Sequence, residues 1–345
     1  MTSTLGGRPG RAASMLDVAR VAGVSQQTVS RVSNGSEAVK PATRERVLAA
    51  MDELGYRPNS AARALKSGRF LTIGVLMHNL KSFGSSRMLE AINFEAARHG
   101  YSIELISVND PSTGEITRAL SRLDHEAVDG IIMRLDARHM REHSIDFPTR
   151  IPTVIVEGAS YDDRVSVDVD QRQGTRLAVQ HLLDLGHPTV WHVGGPAGSS
   201  SAAQRESAWH DTLAAAGRPV PEVVHGDWSP GSGHRAGVRL LAESDVTAVF
   251  CANDQMALGV LRAFHEAGRE VPAQVSVVGF DDTQESEFFW PPLTTVHQDF
   301  AGVGASAVAL LLEQIERLEA GPIAPGVRLT QTHLIVRKST DAWHG

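Results

Sequence analysis

From Leu71 onward the chain alternates short apolar runs with amphipathic stretches, and few folds accept that pattern. Residues 71–77, 130–133, 151–156, 248–251 and 276–280 are apolar runs bounded by polar loops, which reads as strands buried on both faces. Shorter runs at 102–107, 189–193 and 223–225 read as further strands. Between them, segments with an apolar repeat of helical spacing predict helices over 87–99, 115–126, 174–185, 202–216, 232–243 and 254–266. Continuous apolar strands separated by amphipathic helices imply parallel sheets covered on both sides. The stretch accommodates two such α/β halves, with a cleft between them that suits a ligand touching both.

Residues 14–58 follow a different rule. Ser14 caps a helix beginning near Leu16, and Gly23 ends it, because glycine takes up the left-handed conformation of a tight turn. Ser25 caps a second helix through its hydroxyl. Val24, Val29 and Val32 fall near one face and are expected to pack on Leu16, Ala19 and Ala22. That leaves Gln26, Gln27, Ser30 and Arg31 outside. A third helix runs from Pro41 to Leu54, with Val47, Leu48, Met51 and Leu54 at helical spacing and Gly55 as its stop. Three short helices of this kind make a helix-turn-helix unit, and glutamine and arginine are side chains that read base edges in a major groove.

Charge supports the division. The whole chain carries a formal net charge of -7, but residues 1–69 hold 11 Lys and Arg against 5 Asp and Glu, and the remainder holds 22 against 35. A basic head on an acidic body is the balance expected of a polyanion-binding head with a separate function behind it. Residues 1–13 read as a disordered tail, in which Arg8 and Arg11 could graze a phosphate backbone. The tail lacks the apolar segment of a signal peptide, and no run is long enough to span a membrane. The single cysteine, Cys251, excludes an intrachain disulfide and fits a cytoplasmic setting. After Pro58, Asn59 or Ser60 caps a short Ala-rich helix ended by Gly68. Such a helix is marginal alone in water. A DNA minor groove and a twin helix would support it, with Leu65, flanked by Arg63 and Lys66, wedged between base steps.

These residues resemble the DNA-binding head and hinge of the LacI/GalR family of bacterial transcription regulators. The matching text is Leu16-Asp-Val-Ala, Ala22-Gly-Val-Ser, Thr28-Val-Ser-Arg31-Val-x-Asn34 and Leu54-Gly-Tyr-Arg-Pro-Asn59, continued to Leu65. The resemblance implies that Gln26 and Gln27 read bases with Arg31 as a third contact and Ser25, Ser30 and Asn34 beside them. It further implies that Leu65 is the intercalating hinge residue and that a two-fold dimer binds a palindromic operator. It extends over the body through His181-Leu-Leu-Asp-Leu-Gly-His187, Ala252-Asn-Asp-Gln-Met-Ala-Leu-Gly259, Val277-Val-Gly-Phe-Asp-Asp-Thr283 and Pro291-Pro-Leu-Thr-Thr-Val-His-Gln-Asp-Phe300. The body is then a periplasmic-binding-protein type of α/β fold. The domain expectation is a head at 14–58, a hinge at 59–69 and an effector-binding and dimerisation body at 70–345. Within the body, an N-subdomain covers about 70–168 and 300–328, and a C-subdomain about 169–299 and 329–345.

A sugar presents hydroxyls that need fixed hydrogen-bonding partners and C–H faces that suit aromatic rings. Asn253 and Asp281 stand at or just past the ends of apolar strands, where α/β ligands bind. The resemblance implies that Arg205 clamps the effector, that Trp228 and Trp290 supply an aromatic wall, that Glu157 is an acidic residue at a strand end, and that Gln298 and Phe300 line the cleft. The loop 78–86 departs from the family pattern: Phe83 is its only aromatic, and the loop helps to choose the ligand. The expected partners are operator DNA, a small sugar such as a galactoside or other glycoside, and a second copy of the chain. The ending at 338–345 shows no leucine heptad to pair dimers into tetramers. No cofactor or metal is expected. No nucleophile elbow or metal-ligand spacing occurs, and Gly194-Gly-Pro-Ala-Gly lacks the lysine of a phosphate-binding loop, so an enzyme is disfavoured. The alternatives are a sugar-binding protein without a regulatory role and a family member responding to a purine or a phosphorylated ligand.

Overall fold

The structure is a computed structural model describing residues 13–33, 36, 38–56, 68–78, 80–108, 112–126, 128–135, 151–157, 164–318, 321 and 323–344. The expected tail and hinge lie outside these apart from residues 13, 68 and 69. The chain divides into two compact units, Met1–Phe70 and Leu71–Gly345.

In the first unit, α1 (Met15–Ala22), α2 (Gln26–Ser33) and α3 (Pro41–Glu53) form a three-helix head. Ser14 and Asp17 make a reciprocal capping box at the start of α1. Gly23 closes α1 with φ 64°, and its successor Val24 donates to Ala19 O at 3.0 Å. The core is Val18, Ala19 and Ala22 against Val29, Val32, Val47, Ala50 and Met51. Leu16 and Leu48, expected inside, are 52% and 50% exposed. α1 begins at Met15, so positions 15, 18, 19 and 22 share its inner stripe and Leu16 lies about 100° round the axis. The same arithmetic puts Val47, Ala50, Met51 and Leu54 on the inner side of α3 and Leu48 off it.

The second unit holds two six-stranded sheets. The first is built from β1 (Thr72–His78), β2 (Ser102–Val108), β3 (Gly130–Arg134), β4 (Thr153–Val156), β5 (Val165–Val169) and β11 (Gly326–Thr330), in the order β11-β5-β4-β3-β1-β2. Every pairing in it is parallel. The second contains β6 (Trp191–Gly194), β7 (Val224–His225), β8 (Ala248–Cys251), β9 (Ser276–Asp281), β10 (Thr294–Gln298) and β12 (Thr332–Ile335), in the order β12-β10-β9-β8-β6-β7. Only β10–β12 is antiparallel. The two orders are the same, so each half has its own switch point, where the order reverses between its first and third strands. Helices cover both faces: α4 (Phe83–Arg98), α5 (Thr113–His125) and α10 (Phe300–Glu316) on the first sheet, α6 (Gln171–Asp184), α7 (Ser200–Ala215), α8 (Pro230–Leu240) and α9 (Asp254–Glu266) on the second. A 3-10 turn spans Gln284–Phe288.

Alternating strand residues supply the two cores of each sheet. In the first, Ile73, Val75 and Met77 pack with Met88, Ile92 and Leu311, while Leu76, Ile131 and Met133 pack with Ile116, Leu120 and Leu123 on the other face. Each such side chain, fully buried, contributes roughly 1.5–3 kcal/mol. The chain passes between the sheets three times, after Val169, after Gln298 and after Thr330. α4 starts four residues earlier than its apolar repeat indicates, because Ser82 caps it by accepting from the Ser85 amide at 3.3 Å. Among the described residues, no helix is long and apolar enough to cross a membrane.

Candidate functional site

Each unit presents one candidate surface. In the head, α2 buries Val29 and Val32 and leaves Gln26, Gln27 and Arg31 exposed, with Ser30 half-buried beside them. Ser25 is exposed at the start of α2, and its hydroxyl accepts from the Thr28 amide at 3.2 Å. Asn34 and Leu65 lie outside the described residues.

In the body, a cavity of about 540 Å³ opens where the C-terminal strand ends of both sheets meet. Eight of the nine side chains expected there line it: Phe83, Glu157, Arg205, Trp228, Asn253, Asp281, Gln298 and Phe300. Trp290 does not. It is 90% exposed, because the chain after Asp281 is pinned by Thr283 and Ser286 to the buried Asp254 and then by Leu293 N donating to Ser286 O. The excursion between those anchors carries Phe288 and Trp290 into solvent.

The wall from the second sheet is a closed polar ring. Arg205 Nε donates to Gln171 Oε1 at 2.8 Å. Gln171 Nε2 donates to Gln298 Oε1 at 3.2 Å, and Gln298 Nε2 donates to Asp281 Oδ1 at 2.5 Å. Asp281 Oδ1 returns to Arg205 Nη1 at 3.9 Å, and Nη1 also donates to Ala252 O. All four side chains are buried. The guanidinium lies 3.9 Å over the Phe280 ring, a placement favourable to a cation. Among the described residues, no protein acceptor engages Arg205 Nη2. Trp228 lies against Gly195, where a Cβ would fall 2.4 Å from the indole. Asn253 caps α9 by accepting from Met256 N at 2.9 Å and ties down Trp228 O at 3.1 Å; both its amide protons are engaged, the second by Gln255 Oε1.

The opposite wall is aromatic and ionic. Phe83 and Phe300 meet edge to face with ring centres 6.0 Å apart. Arg134 Nη2 donates to Glu157 Oε1 at 2.6 Å, and Nη1 donates to Ser85 Oγ. Three cavity residues hold left-handed backbone, Glu157 at φ 61°, Trp228 at 71° and Asp281 at 115°. Each such residue costs roughly 1–3 kcal/mol, and strain of that kind gathers at functional sites.

Known proteins with this architecture settle the family. Residues 14–59 match the model for bacterial regulatory proteins of the lacI family, and residues 179–340 match that for a periplasmic binding protein-like domain. The chain is similar to the lactose operon repressor of Escherichia coli K12, 38% identical over 95% of this chain and 91% of that protein. It is also similar to the HTH-type transcriptional repressor PurR of Haemophilus influenzae PittEE, 33% identical over 96% of this chain and 99% of that one. A crystal structure of the lac repressor dimer bound to operator and the anti-inducer ONPF superimposes with a TM-score of 0.84 and 36% identity, covering 96% of this chain and 100% of that one. The chain belongs to the lacI family. It is a DNA-binding transcriptional regulator, as its relatives are transcriptional repressors, and not an enzyme.

Three residues of this repressor's cavity network escaped sequence reading: Arg134, Gln171 and Ser85. Arg134 stands at the end of β3, the same strand-end position that singled out Asn253 and Asp281. Gln171 follows β5, a strand whose polar alternation hid it.

The cavity of the repressor also couples to pH. Burial pushes Asp281 up to about 7, with Arg205 opposing, and pushes Asp254 up to about 6 against the bonds from Ser286, Thr295 and Thr283. Both hold protons in the folded repressor where the unfolded chain has released them. The stability from this source is present at low pH and lost as pH rises through about 7. His192 has the opposite sign. Burial pulls it down to about 4 and lowers His181 and His187 as well, so their contribution is present above the ordinary histidine value and is lost as pH falls through it. Between about pH 7 and 8, above the range of the histidines and of Asp254, Asp281 decides. Tm is expected to fall across that window, and Asp281→Asn to flatten the slope. A wild-type Tm that stays level contradicts the assignment.

Proposed function

We propose that this repressor controls sugar-catabolism genes, binding a palindromic operator as a homodimer and leaving it when a small sugar, a galactoside or another glycoside, occupies the body cavity. The observation that carries this reading is one cavity holding both kinds of group a sugar needs. The Arg205–Asp281–Gln298 side supplies fixed donors and acceptors for hydroxyls, and Trp228, Phe83 and Phe300 supply aromatic faces for the C–H side. Similarity to a lactose operon repressor supports the same class.

The sugar touches both halves. Arg205, Asn253 and Asp281 belong to the C-subdomain, Phe83, Glu157 and Phe300 to the N-subdomain, in the division expected from the sequence. Occupancy favours the arrangement in which the two halves close on the ligand, and the dimer's heads lose their DNA-competent spacing. A coupling of 1–3 kcal/mol would lower operator affinity roughly 5- to 150-fold. On the DNA, Gln26 and Gln27 read bases with Arg31 as a third contact, Ser25, Ser30 and Asn34 support them, and Leu65 enters the minor groove. The exposed Phe288 and Trp290 suit burial against a second copy.

Titration calorimetry of the full chain against galactosides, glucosides, sugar phosphates and nucleobases tests the ligand class. Saturable binding of neutral glycosides is expected. Binding of a purine nucleobase, with no sugar bound, would overturn the reading in favour of a purine-responsive repressor.

A further inference from the structure

We propose that the Arg134–Glu157 ion pair is a charge filter in the effector cavity, admitting uncharged polyols and excluding their carboxylated or phosphorylated counterparts. The inference rests on the reading of the cavity as a sugar site and names the selectivity of its N-terminal wall.

Both residues stand at the ends of neighbouring parallel strands and line the cavity. Their side chains are only 15% and 21% exposed, and they meet at 2.6 Å. Arg134 is held in place by Ser85 as well, and its Nε is buried with no partner among the described residues. Glu157 keeps its position at the cost of a left-handed backbone. A pair that served packing alone would not require a strained acidic residue facing a cavity, since an apolar pair of similar volume is often as stable.

The chemistry of the pair follows from its charges. A neutral hydroxyl can accept from the guanidinium and donate to the carboxylate, so both partners gain from it. A ligand carboxylate or phosphate gains from Arg134 but meets the Glu157 charge at the same place, in a half-buried site where like-charge repulsion is poorly screened. The opposite wall repeats the arrangement, with Arg205 facing Asp281. At the rim, the exposed Lys81 and Asp227 again contribute one charge of each sign. Among the described residues, each guanidinium of the deep walls has a carboxylate beside it.

Glu157→Gln tests the filter, because it keeps the side-chain shape and leaves Arg134 uncompensated. Binding of methyl β-galactoside and methyl β-glucoside is measured by calorimetry at about pH 8 beside that of their uronic acids and 6-phosphates. Wild type is expected to prefer the neutral sugar. In Glu157→Gln the ratio of acidic to neutral affinity is expected to rise about tenfold or more, and in Arg134→Gln/Glu157→Gln to return toward the wild-type value. Tm is followed for each variant, since a purely structural pair would lower Tm and all affinities together without moving the ratio. A ratio unchanged in a folded Glu157→Gln, with neutral sugars still bound, overturns the filter and leaves the sugar reading standing. A wild type that binds only the acidic sugars overturns the filter directly. A wild type that binds no saccharide overturns the sugar reading and the filter with it.

Discussion

Arg205→Ala is expected to leave operator binding intact and to abolish its release by the effector. Arg205 is the hub of the cavity's polar ring, joined to Gln171, Ala252 O and Asp281, and its remaining nitrogen is the donor left for a ligand. A hydrogen bond to a charged group contributes about 1.5–3 kcal/mol. Losing that bond and the ring's geometry together is expected to lower sugar affinity about 100-fold or more. The substitution also leaves Asp281 buried without its cation, an effect of about 3 kcal/mol on stability. That loss is expected to shrink as pH falls, because without Arg205, which opposes the burial of Asp281, the carboxyl is pushed above the value of about 7 that it has in the wild type and takes up a proton. Calorimetry with a bound glycoside and gel shifts with operator DNA separate the two functions. Sugar-driven release persisting in the alanine variant would remove Arg205 from the effector site.

Gly259→Ala is expected to be the most damaging single-methyl change in the body. On helix propensity alone, alanine for glycine inside a helix stabilises by about 1 kcal/mol. At Gly259 the added Cβ would lie 2.0 Å from Pro230 O and 2.4 Å from His234 N, and at Gly233 across the same contact it would lie 2.1 Å from Met256 O. These are backbone atoms and have no rotamer to escape into, so α8 and α9 must separate. Overpacking of this kind costs about 3 kcal/mol or more where nothing can yield. The effect reaches the cavity. Trp228 and Ser229 lead into α8, Asn253 caps α9, and the 3.1 Å bond from Asn253 to Trp228 O depends on the close approach of the two helices. Thermal denaturation followed by circular dichroism should show a lowered Tm together with weakened sugar binding. A Tm equal to or above that of wild type would contradict the packing described for α8 and α9.

These two sites differ in how far the sequence discloses them. Asn253 and the helix after it are legible because a capping residue, a strong apolar repeat and a preceding apolar strand agree on one boundary; the helix observed, Asp254–Glu266, has the expected limits. The start of α4 is hidden because Phe83 to Ser86 carry no apolar repeat and only the Ser82 cap reveals it. β5 alternates valine with buried Ser166 and Asp168, and β11 is an exposed edge carrying Arg328, so neither resembles the continuous apolar runs of the other strands. Arg134 begins a charged stretch and reads as loop, although it ends a buried strand. Trp290 shows the reverse failure: a neighbourhood similar to the family's cavity wall placed it inside, whereas the anchoring of the preceding turn on Asp254 puts it in solvent.

The central claim, that occupancy of the body cavity sets the affinity of the head for DNA, is tested most directly by one linked measurement. The affinity of the dimer of this chain for an operator selected from random-sequence DNA is determined with and without a saturating glycoside, and the affinity for that glycoside is determined with and without operator. The expected result is a loss of operator affinity of roughly 10- to 100-fold, matched by the same factor in sugar affinity, because a coupling free energy is reciprocal. An operator affinity that a bound sugar leaves unchanged or raises would contradict it.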